Sequence, residues 1–218
     1  MAQRIAVIDY GAGNLRSVAK AVETAAKDCV AGGQVVITDS AKAVSGADRI
    51  VLPGVGAFGQ CATALRSVPG MIEMLEERVV GGGAPFLGIC VGMQLMAGRS
   101  RERGTHQGLG WIKGEVVKLD PVDPGLKVPH MGWSQVSMKL AGMRHDAIGR
   151  LEDNGEAYFV HSYHFDVDDH ACLLATSDYG ESITSIIGRD NLLGTQFHPE
   201  KSQHYGLAFL RAFLDWKP

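Results

Sequence analysis

Pro85-Phe86-Leu87-Gly88-Ile89-Cys90-Val91-Gly92-Met93-Gln94 is the stretch from which the fold is read. Residues 85–89 form a continuous apolar run after the break Gly81-Gly82-Gly83, the mark of a short buried strand. Residues 91–97 read as the helix that follows. Cys90 sits on the junction with a glycine two positions to either side, a Gly-x-nucleophile-x-Gly elbow with a thiol in place of the usual hydroxyl. The turn is so tight that side chains at the flanking positions are expected to collide. Such an elbow exposes Cys90 at the C-terminal edge of a sheet, beside a helix N-terminus whose partial positive charge favours a thiolate. With 28 glycines and 4 cysteines in 218 residues, the bare pattern arises easily by chance, so its flanking strand and helix have to carry it.

Outward from the elbow, the N-terminal half alternates strand and helix. Residues 4–8 are apolar and read as the first strand. Asp9-Tyr10-Gly11-Ala12-Gly13 is a loop, Asn14 is a candidate N-cap, and Leu15, Val18, Ala19, Val22 and Ala26 recur at helical spacing. Residues 34–38 and 49–52 read as strands, 41–47 as a short helix, and the segments through Leu65 and over 71–80 as helices. This β-α-β-α order predicts an open, mostly parallel, doubly wound sheet flanked by helices. Gly11 and Gly13 suggest a dinucleotide loop, but the third glycine and the acidic residue of that fingerprint are missing. After Gly98 the pattern changes to strands joined by hairpin-like turns, over 111–119, 131–138, 157–160, 172–176, 182–187 and 192–197. These predict antiparallel strands added in the C-terminal half. Residues 99–104 read as a solvated charged loop, and residues 205–216 as a closing helix.

Composition bounds the function classes. A hydrophobic fraction of 45% and a charged fraction of 21% are those of a globular core, and the length suits one α/β domain spanning 1–218. A net charge of −3 argues against a general nucleic-acid or membrane surface. No apolar run approaches the length of a membrane span. Met1-Ala2-Gln3-Arg4 leads straight into the first strand, so no leader peptide is expected. The scattered Cys29, Cys61, Cys90 and Cys172 fit neither a metal site nor a disulfide framework, and a reducing cytoplasm is the expected compartment.

A nucleophilic thiol needs a base, and the base an orienting group. Gly194-Thr195-Gln196-Phe197-His198-Pro199-Glu200 supplies both. A strand ending at Phe197 presents His198, Pro199 restricts it to extended geometry, and Glu200 is near enough to bind its second ring nitrogen. His106, His145, His170 and His204 stand in polar surroundings and read as solvated. His130, His161 and His164 flank strands and read as ordinary hydrogen-bonding residues.

A cysteine elbow followed late in the chain by His-Pro-Glu resembles the class I glutamine amidotransferases. Residues 8–15, 52–58, 88–94, 129–133, 159–163 and 196–202 extend the likeness over nearly the whole chain. Pro53-Gly54-Val55-Gly56 and His130-Met131-Gly132-Trp133 resemble the branch that serves imidazole glycerol phosphate synthases. The resemblance implies that Cys90 attacks the glutamine amide, His198 moves the proton and Glu200 orients His198. It implies oxyanion donors at the Val91 N–H and in the Gly54-Val55-Gly56 segment, with Val55 as the donor there. It implies substrate contacts at Gln94, Ser162, Tyr163, Gly54 and Gly56, and at Glu102 for the substrate ammonium. It further implies a heterodimer with a separate cyclase subunit built as a (β/α)8 barrel. That partner turns the ammonia into imidazole glycerol phosphate and aminoimidazole carboxamide ribotide in histidine biosynthesis. Asn14, Trp133 and Lys201 are expected at that interface, and no metal or cofactor is implied. Ser134 stands where the family pattern has Asn, and Arg99, Arg101 and Arg103 make the Glu102 loop unusually basic. The alternatives are a glutaminase serving another synthase, such as pyridoxal phosphate synthase, a stand-alone cysteine hydrolase, and a catalytically dead regulatory subunit.

Overall fold

The computed structural model describes residues 2–30 and 32–218. Met1, where the expectation of a leaderless N-terminus begins, lies outside the described residues. In chain order the elements are β1 (Gln3–Ile8), α1 (Leu15–Ala26), β2 (Gly33–Thr38), α2 (Ala41–Ser45), β3 (Arg49–Gly54), α3 (Phe58–Ser67), α4 (Met71–Leu75), β4 (Phe86–Cys90) and α5 (Val91–Gln94). There follow β5 (Arg99–Ser100), β6 (His106–Gln107), β7 (Gly114–Lys118), β8 (His130–Met138), α6 (Leu140–Met143), β9 (Gly155–His161) and β10 (Tyr163–Val167). The chain closes with β11 (Leu173–Asp178), β12 (Ser182–Arg189), β13 (Leu192–Thr195) and α7 (Gln203–Asp215).

A nine-stranded sheet runs in the order β2-β1-β3-β4-β13-β12-β11-β8-β9. It is parallel from β2 to β13 and antiparallel from β13 to β9. A second sheet, β10-β7-β5-β6, carries four more strands. Both β3 and β4 are buried along their whole length, as central strands covered on two faces must be. α1 buries Val18, Ala19, Val22, Ala25 and Ala26, the face its helical spacing marks out. Among the described residues, no helix is long and apolar enough to cross a membrane.

What positions the site is the late return of β13 to the centre. It lies parallel beside β4, with Thr195 opposite Ile89. On the other side of β4, Gly54 stands opposite Cys90. The ends of β3, β4 and β13 therefore meet at one carboxyl edge, where ligands of open α/β sheets gather.

Several elements differ from the sequence reading. α4 runs on as a π-helical turn, Glu76–Gly81, and the Asn191 amide donates to the exit carbonyls of Val79 and Ala84 at 2.9 and 2.7 Å. β10 and the short β5 and β6 are additional strands. Residues 99–104 are mostly solvated, as read, but the segment begins in β5, buries Ser100 fully, and sets Arg99 and Arg101 on Glu115 at 2.7 and 2.8 Å. The basic charge there is largely spent on one carboxylate. Asn14 precedes α1, but its side chain makes no capping bond.

Candidate active site

Cys90 sits at φ 54° and ψ −111°, a conformation that costs a non-glycine residue about 1–3 kcal/mol. The pairing of β4 with β3 and β13 on either side holds it there. The flanking glycines are required, though not because their side chains would meet each other. A Cβ on Gly92 would lie 1.8 Å from the Leu52 carbonyl oxygen, and one on Gly88 would lie 2.6 Å from the Gly92 carbonyl oxygen. Each glycine is thus fitted against backbone.

The helix after the elbow is one turn, not the two expected. The carbonyls of Leu95, Met96 and Ala97 accept from Leu109, Ile112 and Gly110, at 2.7, 3.1 and 3.0 Å, instead of from a further helical turn. So short a helix lends little axial field to the sulfur.

His198 follows β13 with φ −97° and ψ 99°, the extended geometry that a following proline demands. The Tyr158 carbonyl accepts its N–H at 2.9 Å, and its own carbonyl accepts from Ser202 Oγ at 2.7 Å. Nδ1 lies 2.8 Å from Glu200 Oε1, with the two side chains only 3% and 1% exposed. Burial pushes the imidazolium down. Cys90 and the Glu200 carboxylate, by hydrogen bonding and charge, more than reverse that and raise His198 to about 10. The arrangement favours the imidazolium form of His198 beside the Cys90 sulfur.

One contact was missed in the sequence. Gln196 is fully buried, and its Nε2 donates to Cys90 Sγ at 3.5 Å. Its Oε1 accepts from Gln94 Nε2 at 2.9 Å, and the same Gln94 nitrogen donates to the Tyr163 carbonyl at 2.8 Å. Strand periodicity was the available signal, because Gln196 and His198 are two residues apart on one extended run.

His130 and His161 form a second polar chain. Ser134 Oγ lies 2.9 Å from His130 Nε2, His130 Nδ1 3.1 Å from His161 Nε2, and His161 Nδ1 3.0 Å from the Tyr163 carbonyl oxygen. A carbonyl only accepts, so the proton of His161 is on Nδ1. His130 then donates from Nδ1, and Ser134 donates to His130. Ser134, the departure from the family pattern, ends this chain.

Cys90, Val91, Gln94, Glu102, Ser162, Tyr163, His198, Val55 and Gly56 line one cavity of about 450 Å³. His161, Val160 and Pro129 complete its wall together with Lys201. Glu102 Oε2 also accepts the Phe58 N–H at 2.7 Å, which ties its loop to the start of α3. Gly54 lies under the cavity rather than in its wall. A Cβ there would stand 2.7 Å from the Tyr10 hydroxyl and 2.8 Å from the Gly92 nitrogen.

The family Glutamine amidotransferase class-I matches residues 6–215. The imidazole glycerol phosphate synthase subunit HisH of Zymomonas mobilis is 54% identical, over 98% of this chain and 96% of its own. The HisH subunit of Rhodospirillum rubrum is 52% identical, over 99% and 100%. The chain belongs to the class-I glutamine amidotransferases, in the HisH family. The crystal structure of a glutamine amidotransferase from Thermotoga maritima shares the fold, with a TM-score of 0.60 at 16% identity over 99% of this chain and 84% of that one.

Of the residues expected at an interface, the amidotransferase exposes all three. Trp133 is 46% exposed and Met131 beside it 62%. Trp133 meets Tyr158 edge-on at 5.9 Å, and Lys201 Nζ lies 5.5 Å from the centre of the same ring. Lys201 reaches the cavity wall, whereas Trp133 and Asn14 stand outside it.

Proposed function

We propose that this chain, working as a single domain over 1–218, hydrolyses glutamine and passes the ammonia to a separate cyclase subunit of an imidazole glycerol phosphate synthase. One observation carries the reading: Cys90, on a strained strand-to-helix turn, opens into a 450 Å³ cavity with His198 beside it and Glu200 2.8 Å behind His198.

In this reading the Cys90 sulfur attacks the side-chain amide carbon of glutamine. The S–C bond forms, the carbonyl electrons move to oxygen, and His198 gives its proton to the departing ammonia. Water then attacks the thioester, His198 takes the water proton, and the S–C electron pair returns to sulfur as glutamate leaves. Glu200 keeps the His198 ring oriented. The Val91 and Val55 N–H groups are the proposed oxyanion donors, each worth about 10²–10³ in rate. Gln94, Glu102, Ser162, Tyr163 and Gly56 are the proposed substrate contacts, with Glu102 facing the ammonium. Asn14, Trp133 and Lys201 are proposed to meet the cyclase barrel.

The test mixes the chain with the cyclase subunit of a related synthase and follows glutamate release with and without a cyclase-site ligand. Release stimulated by the loaded partner is expected. A chain that forms the complex yet releases no glutamate would overturn the reading.

A further inference from the structure

We propose that Gln196 is a further catalytic residue, whose buried side-chain amide donates to the Cys90 sulfur whenever that sulfur carries negative charge. The inference rests on the glutaminase reading above and extends it to a residue outside the cysteine–histidine–glutamate set.

The geometry fixes which end of the amide meets the sulfur. Gln196 Oε1 is occupied by the N–H of Gln94 at 2.9 Å, which leaves Nε2 to face Sγ at 3.5 Å. Turning the amide over would set two NH₂ groups against each other and an oxygen against the thiolate. The Gln94 amide cannot turn either, because the same nitrogen donates to the Tyr163 carbonyl, which His161 Nδ1 also holds at 3.0 Å. Gln196 is 0% and Gln94 3% exposed, so no bulk water competes for these bonds. A donor locked in place before the reaction costs no reorganisation during it.

The chemistry needs such a donor twice. Sulfur is negative before attack, neutral in the thioester, and negative again when the second tetrahedral intermediate expels it. The one-turn helix after Cys90 supplies little of this stabilisation, and the Gln196 amide points at the atom concerned. Gln94 also lines the cavity, so one hydrogen-bonded run joins the proposed substrate wall to the nucleophile.

The test compares wild type with Gln196→Leu, which keeps the volume and removes the donor. Gln196→Asn keeps an amide that is too short to reach the sulfur. Two readouts are taken: the rate of Cys90 alkylation by iodoacetamide in the isolated chain, and kcat and KM for glutamine in the complex with the loaded cyclase. Both variants are expected to alkylate about tenfold more slowly and to lose at least tenfold in kcat, the scale of one hydrogen bond to a charged acceptor. KM should stay within about threefold. A folded Gln196→Leu with wild-type alkylation rate and kcat would overturn the proposal, as would a rise in KM alone. If Gln196→Leu does not fold, Gln196→Asn decides on the same criteria. Alkylation needs no glutamine, so a wild-type chain that hydrolyses none would sink the glutaminase reading while the alkylation rates still judge Gln196.

Discussion

Lowering the pH from 8 to 5 is expected to destabilise the folded chain through His130 and His161. His130 is buried and stacked between Tyr179 and Phe159, with ring centroids at 3.9 and 4.9 Å. Burial pushes its proton affinity down to about 4. Burial likewise pushes His161 to about 3, although its bond to the Tyr163 carbonyl works the other way. The hydrogen-bond polarity gives the same answer, since a second proton on His161 Nε2 would face the N–H of His130. Both values lie below the ordinary 6.5, so the unfolded chain takes up protons that the folded chain refuses. This contribution to stability is present above about pH 6.5 and is lost as pH falls toward the folded values. At pH 5 the loss is at most about 2 kcal/mol per ring, about 4 kcal/mol together, against a usual total of about 5–15 kcal/mol. His198 does not offset it. Its affinity is raised, so its contribution is complete below about pH 6.5 and is lost only as pH climbs toward 10. Urea unfolding followed by tryptophan fluorescence at pH 8, 7, 6 and 5 measures the effect, and His130→Asn should lose about half of the acid dependence. A midpoint that stays level or rises between pH 6.5 and 5 would show that His130 and His161 take up protons in the folded chain as readily as in the unfolded one.

Three further outcomes are expected. His198→Asn should abolish glutamate release nearly as fully as Cys90→Ala, because members of one catalytic unit are not additive, while Glu200→Gln should cost less; near-normal turnover in His198→Asn would remove it from the mechanism. Val55→Pro deletes the proposed second oxyanion donor and should lose about 10²–10³ of the rate of glutamate release measured in the complex with the loaded cyclase; an unchanged rate in the folded variant would remove Val55 from the oxyanion site. Trp133→Ala should weaken complex formation by about tenfold or more without a change in fold, measured by titration calorimetry, since half-exposed aromatic side chains are typical interface anchors; unchanged affinity would place the interface elsewhere.

Local chemistry made much of the parallel half legible. β3 and β4 are short apolar runs closed by glycine-rich turns, and the elbow is dictated by backbone contacts too close for any Cβ. His198 and Glu200 could be placed because proline fixes the geometry between them over three residues. What could not be read depends on partners distant in sequence. The helix after Cys90 stops early because residues 109–112 take its carbonyls. The loop around Glu102 is ordered by Glu115 and by the start of α3. Gln196 meets Cys90 across 106 positions, and only the insertion of β13 beside β4 brings them together. Gly54 was expected at the substrate from the family resemblance; the close approach of Tyr10 and Gly92, which depends on distant segments, is a packing reason for a glycine there that the sequence did not show.

Glutamine hydrolysis as proposed runs through a covalent intermediate on Cys90. Its most direct test treats the complex with the loaded cyclase with an electrophilic glutamine analogue, then maps the modified peptide by mass spectrometry while glutamate release is followed. A single adduct on Cys90 is expected, formed in step with the loss of activity, with Cys29, Cys61 and Cys172 unmodified and no adduct in Cys90→Ser. Inactivation without label on Cys90, or equal labelling of the Cys90→Ser chain, would contradict it.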